Sequence, residues 1–226
     1  MDQMAQVITY LTRAIVLLLC LPVHEFAHGF VAYKLGDPTA KNAGRLTLNP
    51  VRHLDVFGTL LLILTGYGFA KPVPVNSYYF KKPKRDLALV SLAGPLSNLI
   101  MAFLSVIFFK ITSYFYISQA VAGAQNQFLY VLLLFFQTAA WINVALAVFN
   151  ILPIPPLDGS KILNTILPEK AYYWVLRYER YFMPALFILL FIGVLSKPLS
   201  WLSSGVMSGL DVLTKFVDLF MRMILG

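Results

Sequence analysis

The sequence predicts an all-α polytopic membrane protein. About five to six membrane helices are expected, with a short re-entrant, β-like element between the first two clear spanning helices. Three observations lead there. Only 12% of the 226 residues are charged and 59% are hydrophobic, with a mean hydropathy of +0.74, whereas a soluble domain carries charge at roughly a quarter of its positions. Several apolar runs approach the roughly 20 residues that cross a bilayer core. The basic residues lie between those runs and form no continuous surface, so the net charge of +8 reads as loop retention at a membrane and argues against a nucleic-acid partner.

The first helix is expected from Met4 to Leu35, ended by the stop signals Gly36 and Pro38. Its opening residues, MDQMAQVITY, lack the basic n-region and small-residue cleavage site of a removable signal peptide, so the segment should be retained. Next, Arg45, Thr47 and Asn49 alternate with Leu46 and Leu48, a period of two that suggests a short strand. The apolar run VFGTLLLILTGYGF is too short to span untilted, and Pro72 and Pro74 in AKPVPVNSYYF enforce extended backbone. Extended pieces around a short apolar run suit a re-entrant element lining a cavity.

A second clear span is expected from Asp86 to Ile111 and a third from Phe128 to Phe149, broken at NILPIPPLDG. A further apolar helix should run from Tyr181 to Leu195. Over 198–226, Asp211, Lys215, Asp218 and Arg222 form one polar stripe on a helix that either spans or lies in the interface. Such a segment also suits self-association into a homo-oligomer. With no internal repeat and no soluble accessory domain visible, the chain reads as one domain over 1–226, with a core of about 5–165 and C-terminal helices over 181–226.

The connection from Lys34 to Arg85 holds nine lysines and arginines, whereas that from Lys110 to Gln127 holds only Lys110. The positive-inside rule then places 34–85 and 154–180 in the cytoplasm. The one cysteine, Cys20, excludes an internal disulfide.

Chemistry concentrates in LPVHEFAHGF. His24 and His28 stand one helical turn apart and can bind one cation, while Glu25 can reach a water beside it. This HExxH pattern belongs to zinc hydrolases, with two nitrogen ligands, an open position and a base. Random placement of three histidines and three glutamates would produce it about once in roughly three thousand sequences of this length. The best third ligand is Asp158, a carboxylate held in irregular backbone by Pro153, Pro155, Pro156 and Gly159. His53, Asp55, Glu169 and Glu179 are further candidates, and Cys20 reads as a small packing residue. Ser91, Gly94, Asn98, Ala102 and Ser105 form a small-residue stripe for close helix contact. Asn98 is thus first a packing residue and second a candidate to assist the site.

HEFAHGF and NILPIPPLDG, in this order and on separate helices, resemble the two signatures of the site-2 proteases, intramembrane zinc metalloproteases. AGPLSN, GRLTLNP and AKPVPVN resemble further segments of the compact bacterial members that lack PDZ and CBS domains. The resemblance implies that His24, His28 and Asp158 bind one Zn2+ per chain and that Glu25 activates water. It implies that Asn150, eight residues before Asp158, faces the site and holds the substrate carbonyl or its oxyanion. It also implies hydrolysis of a peptide bond within or near the transmembrane helix of a membrane-protein substrate, as in regulated intramembrane proteolysis. The expected place is the plasma membrane, with the active site towards the cytoplasm. Ser160 stands where the family often has glycine, and Ser77 where proline is usual. A membrane helix must unwind before it can be cut, and Gly44, Arg45, Leu46, Thr47, Leu48 and Asn49 are expected to bind it by strand addition. The alternative is a metal transporter or metal-gated protein, which would more naturally repeat its ligands in symmetric halves. A second alternative is an unrelated membrane HExxH peptidase that uses Glu169 or Glu179.

Overall fold

The computed structural model describes residues 3–55, 58, 70–124 and 126–225; the side chains at 4, 5, 169, 172, 176, 179 and 225 lie outside that description. The first helix, α1 (Gln3–Lys34), has 32 residues, or about 48 Å at 1.5 Å per residue, enough to cross a bilayer core of roughly 30 Å. It ends where expected. Gly36 takes a φ of 107°, and the Asp37 N–H returns to the Ala32 carbonyl, closing the last turn. A one-turn helix α2 (Thr39–Asn42) follows.

The stretch Arg45–Asn49 is not a strand, and no strand occurs among the described residues. The period of two has another cause: Arg45 points inward and its Nη2 donates to the Lys71 carbonyl at 2.6 Å. His53 Nε2 donates to the Thr47 carbonyl at 2.7 Å, and the Asn49 side chain caps a 3-10 turn over Pro50–Arg52. Antiparallel pairing survives only as a bridge between Leu54 and Ala70, beside the Lys71 N–H bond to the His53 carbonyl. The apolar run 56–69, expected to be re-entrant, lies almost wholly outside the described residues.

The central helix, α3 (Pro83–Val121), starts with proline in its first turn, and Asp86 reaches back to the Lys82 N–H at 3.0 Å. It runs ten residues beyond the expected end because Lys110, taken as the start of a loop, is buried inside it. Helix α4 (Gln127–Asn150) is capped by Asn126, whose side chain accepts from the N–H groups of Phe128 and Leu129. α3 packs against both α1 and α4. The small-residue stripe is the contact face: Ser91, Asn98, Ala102 and Ser105 are all buried. The opposite face turns Leu96, Ile100 and Phe108 outward, as lipid-facing positions require.

Beyond the short helix α5 (Asp158–Leu163), α6 (Glu169–Phe191) and α7 (Ser196–Leu213) meet at an 85° bend beside Gly193, where φ is 77°. Leu186 and Leu190 of α6 pack on Leu157, next to Asp158, while Leu210 of α7 joins the α3–α4 core. The expected polar stripe is split by a break at Thr214, after which α8 (Lys215–Leu225) begins. Among the described residues three helices are long and apolar enough to span, or four if the bent pair counts as one, short of the expected five to six.

Lys110 Nζ sits 2.8 Å from Asp211 Oδ1 and 2.6 Å from Asp218 Oδ2, joining α3 to both C-terminal helices. Asp211 is 60% exposed, so the cost of breaking this triad should fall below the ~3–5 kcal/mol of a fully buried pair. Asp211→Asn with Asp218→Asn should lower the Tm in detergent micelles, and adding Lys110→Met should recover most of the loss. A triple variant no more stable than the double would show that the stranded ammonium is not the cause.

Candidate metal and catalytic site

His24 and His28 of α1 meet Asp158 of α5 beside α3, and Glu25 is buried next to them. His24, Glu25, His28 and Asp158 are all buried, with 6–9% of their surface exposed. His24 Nε2 and His28 Nε2 lie 3.1 Å apart, at 3.3 and 3.1 Å from Asp158 Oδ2. The two imidazoles are edge to face, as a one-turn spacing allows.

The proton arrangement follows from the second nitrogen. His28 Nδ1 lies 2.7 Å from the Val90 carbonyl, which can only accept, so Nδ1 carries the hydrogen. In the neutral ring, Nε2 then presents a lone pair towards His24 and Asp158. Three such acceptors so close repel one another unless a cation sits among them, either a proton or a metal ion. Asp158 Oδ2 has no hydrogen-bond partner among the described residues. Two nitrogens and a carboxylate oxygen, with one ring oriented by a backbone carbonyl, form a donor set that fits Zn2+.

Two glycines make the approach possible. A Cβ on Gly94 would lie 2.4 Å from His28 Nε2 and 2.5 Å from His24 Cε1, so α3 can carry no side chain there. A Cβ on Gly159 would lie 2.1 Å from the Ile151 carbonyl oxygen, so the turn carrying Asp158 closes only with glycine. Ser160 is accommodated in the same turn, where its hydroxyl donates to the Leu157 carbonyl. Ser77 likewise opens a 3-10 turn (Ser77–Tyr79) capped by Asn76.

Glu25 is held from a different segment. Its Oε2 accepts the Val73 N–H at 2.8 Å. Val73 and Gly94 are the residues that motif reading missed. Gly94 was visible only as one member of a packing stripe, and the signal for Val73 was its place between two prolines.

The other candidates fall elsewhere. The Asn150 side chain donates to the Leu146 carbonyl of its own helix at 3.0 Å and makes no bond to the site. Asn98, one turn beyond Gly94, is fully buried, and neither of its polar side-chain atoms has a partner among the described residues. His53 holds the Thr47 carbonyl, and Asp55 accepts the Gly58 N–H. Cys20 packs with Val16 and Ala139, as expected, and accepts from Asn143 Nδ2 at 2.9 Å. The side chains of Glu169 and Glu179 lie outside the described set.

Residues 12–193 match the profile of peptidase family M50. A Bacillus subtilis protein named "Putative zinc metalloprotease YwhC" is 42% identical over 187 residues, covering 83% of each chain. "Putative zinc metalloprotease Rip2" of Mycolicibacterium smegmatis is 33% identical over 162 residues, 67% of this chain and 56% of its own. "Putative zinc metalloprotease MJ0611" of Methanocaldococcus jannaschii is 32% identical over 141 residues, 62% and 63% of the two chains. The alignment thus spans less than two thirds of the last two relatives. No solved structure matches the chain.

Gly94→Ala should force the histidines apart and cut bound zinc at least tenfold while far-ultraviolet circular dichroism stays unchanged. Zinc at one equivalent in that variant would contradict the packing described here.

Proposed function

This chain belongs to peptidase family M50, the site-2 protease family, and on that premise we propose that it is an intramembrane zinc metalloprotease. Its substrate would be a membrane protein, cut within or near a transmembrane helix in the manner of regulated intramembrane proteolysis. The observation that carries the reading is the meeting of His24, His28 and Asp158 beside a fixed Glu25, with the first three donor atoms 3.1–3.3 Å apart.

In the proposed site His24 Nε2, His28 Nε2 and an Asp158 oxygen hold the ion. When bound, Zn2+ supplies Lewis acidity that makes water a nucleophile near neutral pH and polarises the scissile carbonyl. Glu25 takes a proton from the attacking water as the oxygen–carbon bond forms. It returns that proton to the amine nitrogen as the carbon–nitrogen bond breaks. Val90, through its carbonyl, keeps the hydrogen of His28 on Nδ1 and so leaves Nε2 for the ion. Asn98 is a better candidate than Asn150 to meet the substrate carbonyl, because its amide is not committed to its own helix.

An unwound substrate needs partners for its backbone. The Leu46 and Leu48 main-chain groups within Gly44–Asn49 have no hydrogen bond among the described residues, which supports strand addition there without a preformed strand. The excess of basic residues over 34–85 supports a cytoplasmic site in the plasma membrane. A transporter would more naturally repeat its ligands in symmetric halves, and no internal repeat is visible in the sequence.

Glu25→Gln should retain one zinc per chain and lose about 10²- to 10⁴-fold in cleavage rate, whereas Asp158→Ala should lose the metal. Comparing membrane proteomes of cells carrying wild type and Glu25→Gln should reveal proteins that accumulate uncut in the variant. No accumulation, or a Glu25→Gln protein as active as wild type, would overturn the reading. Proline substitutions through Arg45–Asn49 should impair cleavage and spare zinc; full activity at every position would remove the strand-addition role.

A further inference from the structure

The segment Lys71–Asn76 is tied down at both ends. The Lys71 carbonyl accepts from Arg45 Nη2 at 2.6 Å, and the Lys71 N–H donates to the His53 carbonyl at 2.8 Å. At the far end the Asn76 N–H donates to Asp37 Oδ2 at 2.7 Å, and Asp37 is itself fully buried. Between these anchors the Val73 N–H reaches Glu25 Oε2 at 2.8 Å. Pro72 and Pro74 have no N–H, so Val73 carries the only main-chain donor among the three. The Val73 side chain is buried against α1 where Gly29 makes room: a Cβ there would lie 3.2 Å from Val73 Cγ1.

We propose that the main-chain N–H of Val73 is a positioning group that orients Glu25 for catalysis. The inference rests on the reading of Glu25 as the general base. A glutamate side chain has many rotamers to lose, and a base must stay within hydrogen-bond reach of the water it serves. A bond to one oxygen removes that freedom. Glu25 Oε1 has no hydrogen-bond partner among the described residues. One oxygen is therefore anchored, and the other is left to face the water and carry its proton. The donor is suited to this because a peptide N–H held between two prolines and anchored at residues 71 and 76 cannot swing away as a side-chain donor can.

The test is an amide-to-ester exchange at residue 73, placing the α-hydroxy analogue of valine there by nonsense suppression in the full chain. The protein is reconstituted with zinc in phosphatidylcholine vesicles, with a membrane protein recovered uncut from Glu25→Gln cells as substrate. The exchange removes the N–H and keeps the side chain. We expect kcat to fall about 10- to 100-fold, with KM within twofold and zinc still at one per chain. Val73→Ala, which keeps the N–H but trims a buried side chain, should lose less kcat than the ester. In the Glu25→Gln background the exchange should change nothing further.

Without turnover, the Val73 amide proton of the 15N-labelled protein should shift upfield in Glu25→Ala and stay in place in Arg52→Gln. An ester protein with wild-type kcat and full zinc would overturn the proposal. So would an equal loss in the Glu25→Gln background, or an amide proton indifferent to Glu25→Ala. If wild type shows no cleavage that Glu25→Gln abolishes, the protease reading itself fails.

Discussion

Two ring nitrogens and a carboxylate oxygen brought to about 3 Å of one another inside an apolar helical bundle can stay there only with a proton or a metal ion shared among them. Much of the local architecture serves that meeting. α1 supplies two imidazoles on one face, and α3 gives up its side chain at Gly94 to lie against them. The chain turns sharply at Gly159 so that a carboxylate can enter from the end of another helix. Each of these features is unfavourable in isolation, and each makes sense once a cation is the centre they surround.

The second organising feature is the division of labour between main chain and side chains. Side chains would hold the ion, while backbone groups aim them: the Val90 carbonyl sets the His28 ring, and the Val73 N–H holds Glu25. Both backbone groups lie near prolines. Pro95 leaves the Ser91 carbonyl, next to Val90, without its helical partner, and Pro72 and Pro74 clear donors from either side of Val73. Proline creates irregular main chain, and irregular main chain has groups free to work.

Much of this was legible beforehand. HExxH and LDG named the four central residues because their chemistry is local and short-range in sequence. The limits of α1 and α4 also followed, the end of α1 from Gly36, whereas α3 runs ten residues past its expected end. What escaped depended on contacts that no window of sequence contains. Lys110 looked like a helix end, yet its charge is met by Asp211 and Asp218, 101 and 108 residues away. Arg45 to Asn49 alternated like a strand because one arginine turns inward to a carbonyl 26 residues on. Gly94 was visible as a small residue, but nothing local says that two histidines press against it. Asn150 had the right spacing from Asp158, and its side chain bonds back to its own helix instead.

The identity of the third ligand has an electrical consequence. Two neutral imidazoles and two carboxylates, Asp158 and Glu25, would surround a divalent ion in the proposed site. The charges of ion, ligands and base then sum to zero, and the half-exposed Lys161 ammonium, 3.6 Å from Asp158 Oδ1, is left to water. A third histidine in place of Asp158 would leave one uncompensated positive charge in a medium that solvates it poorly. A carboxylate among the ligands is thus what allows a charged metal centre to reside within a bilayer as a neutral object.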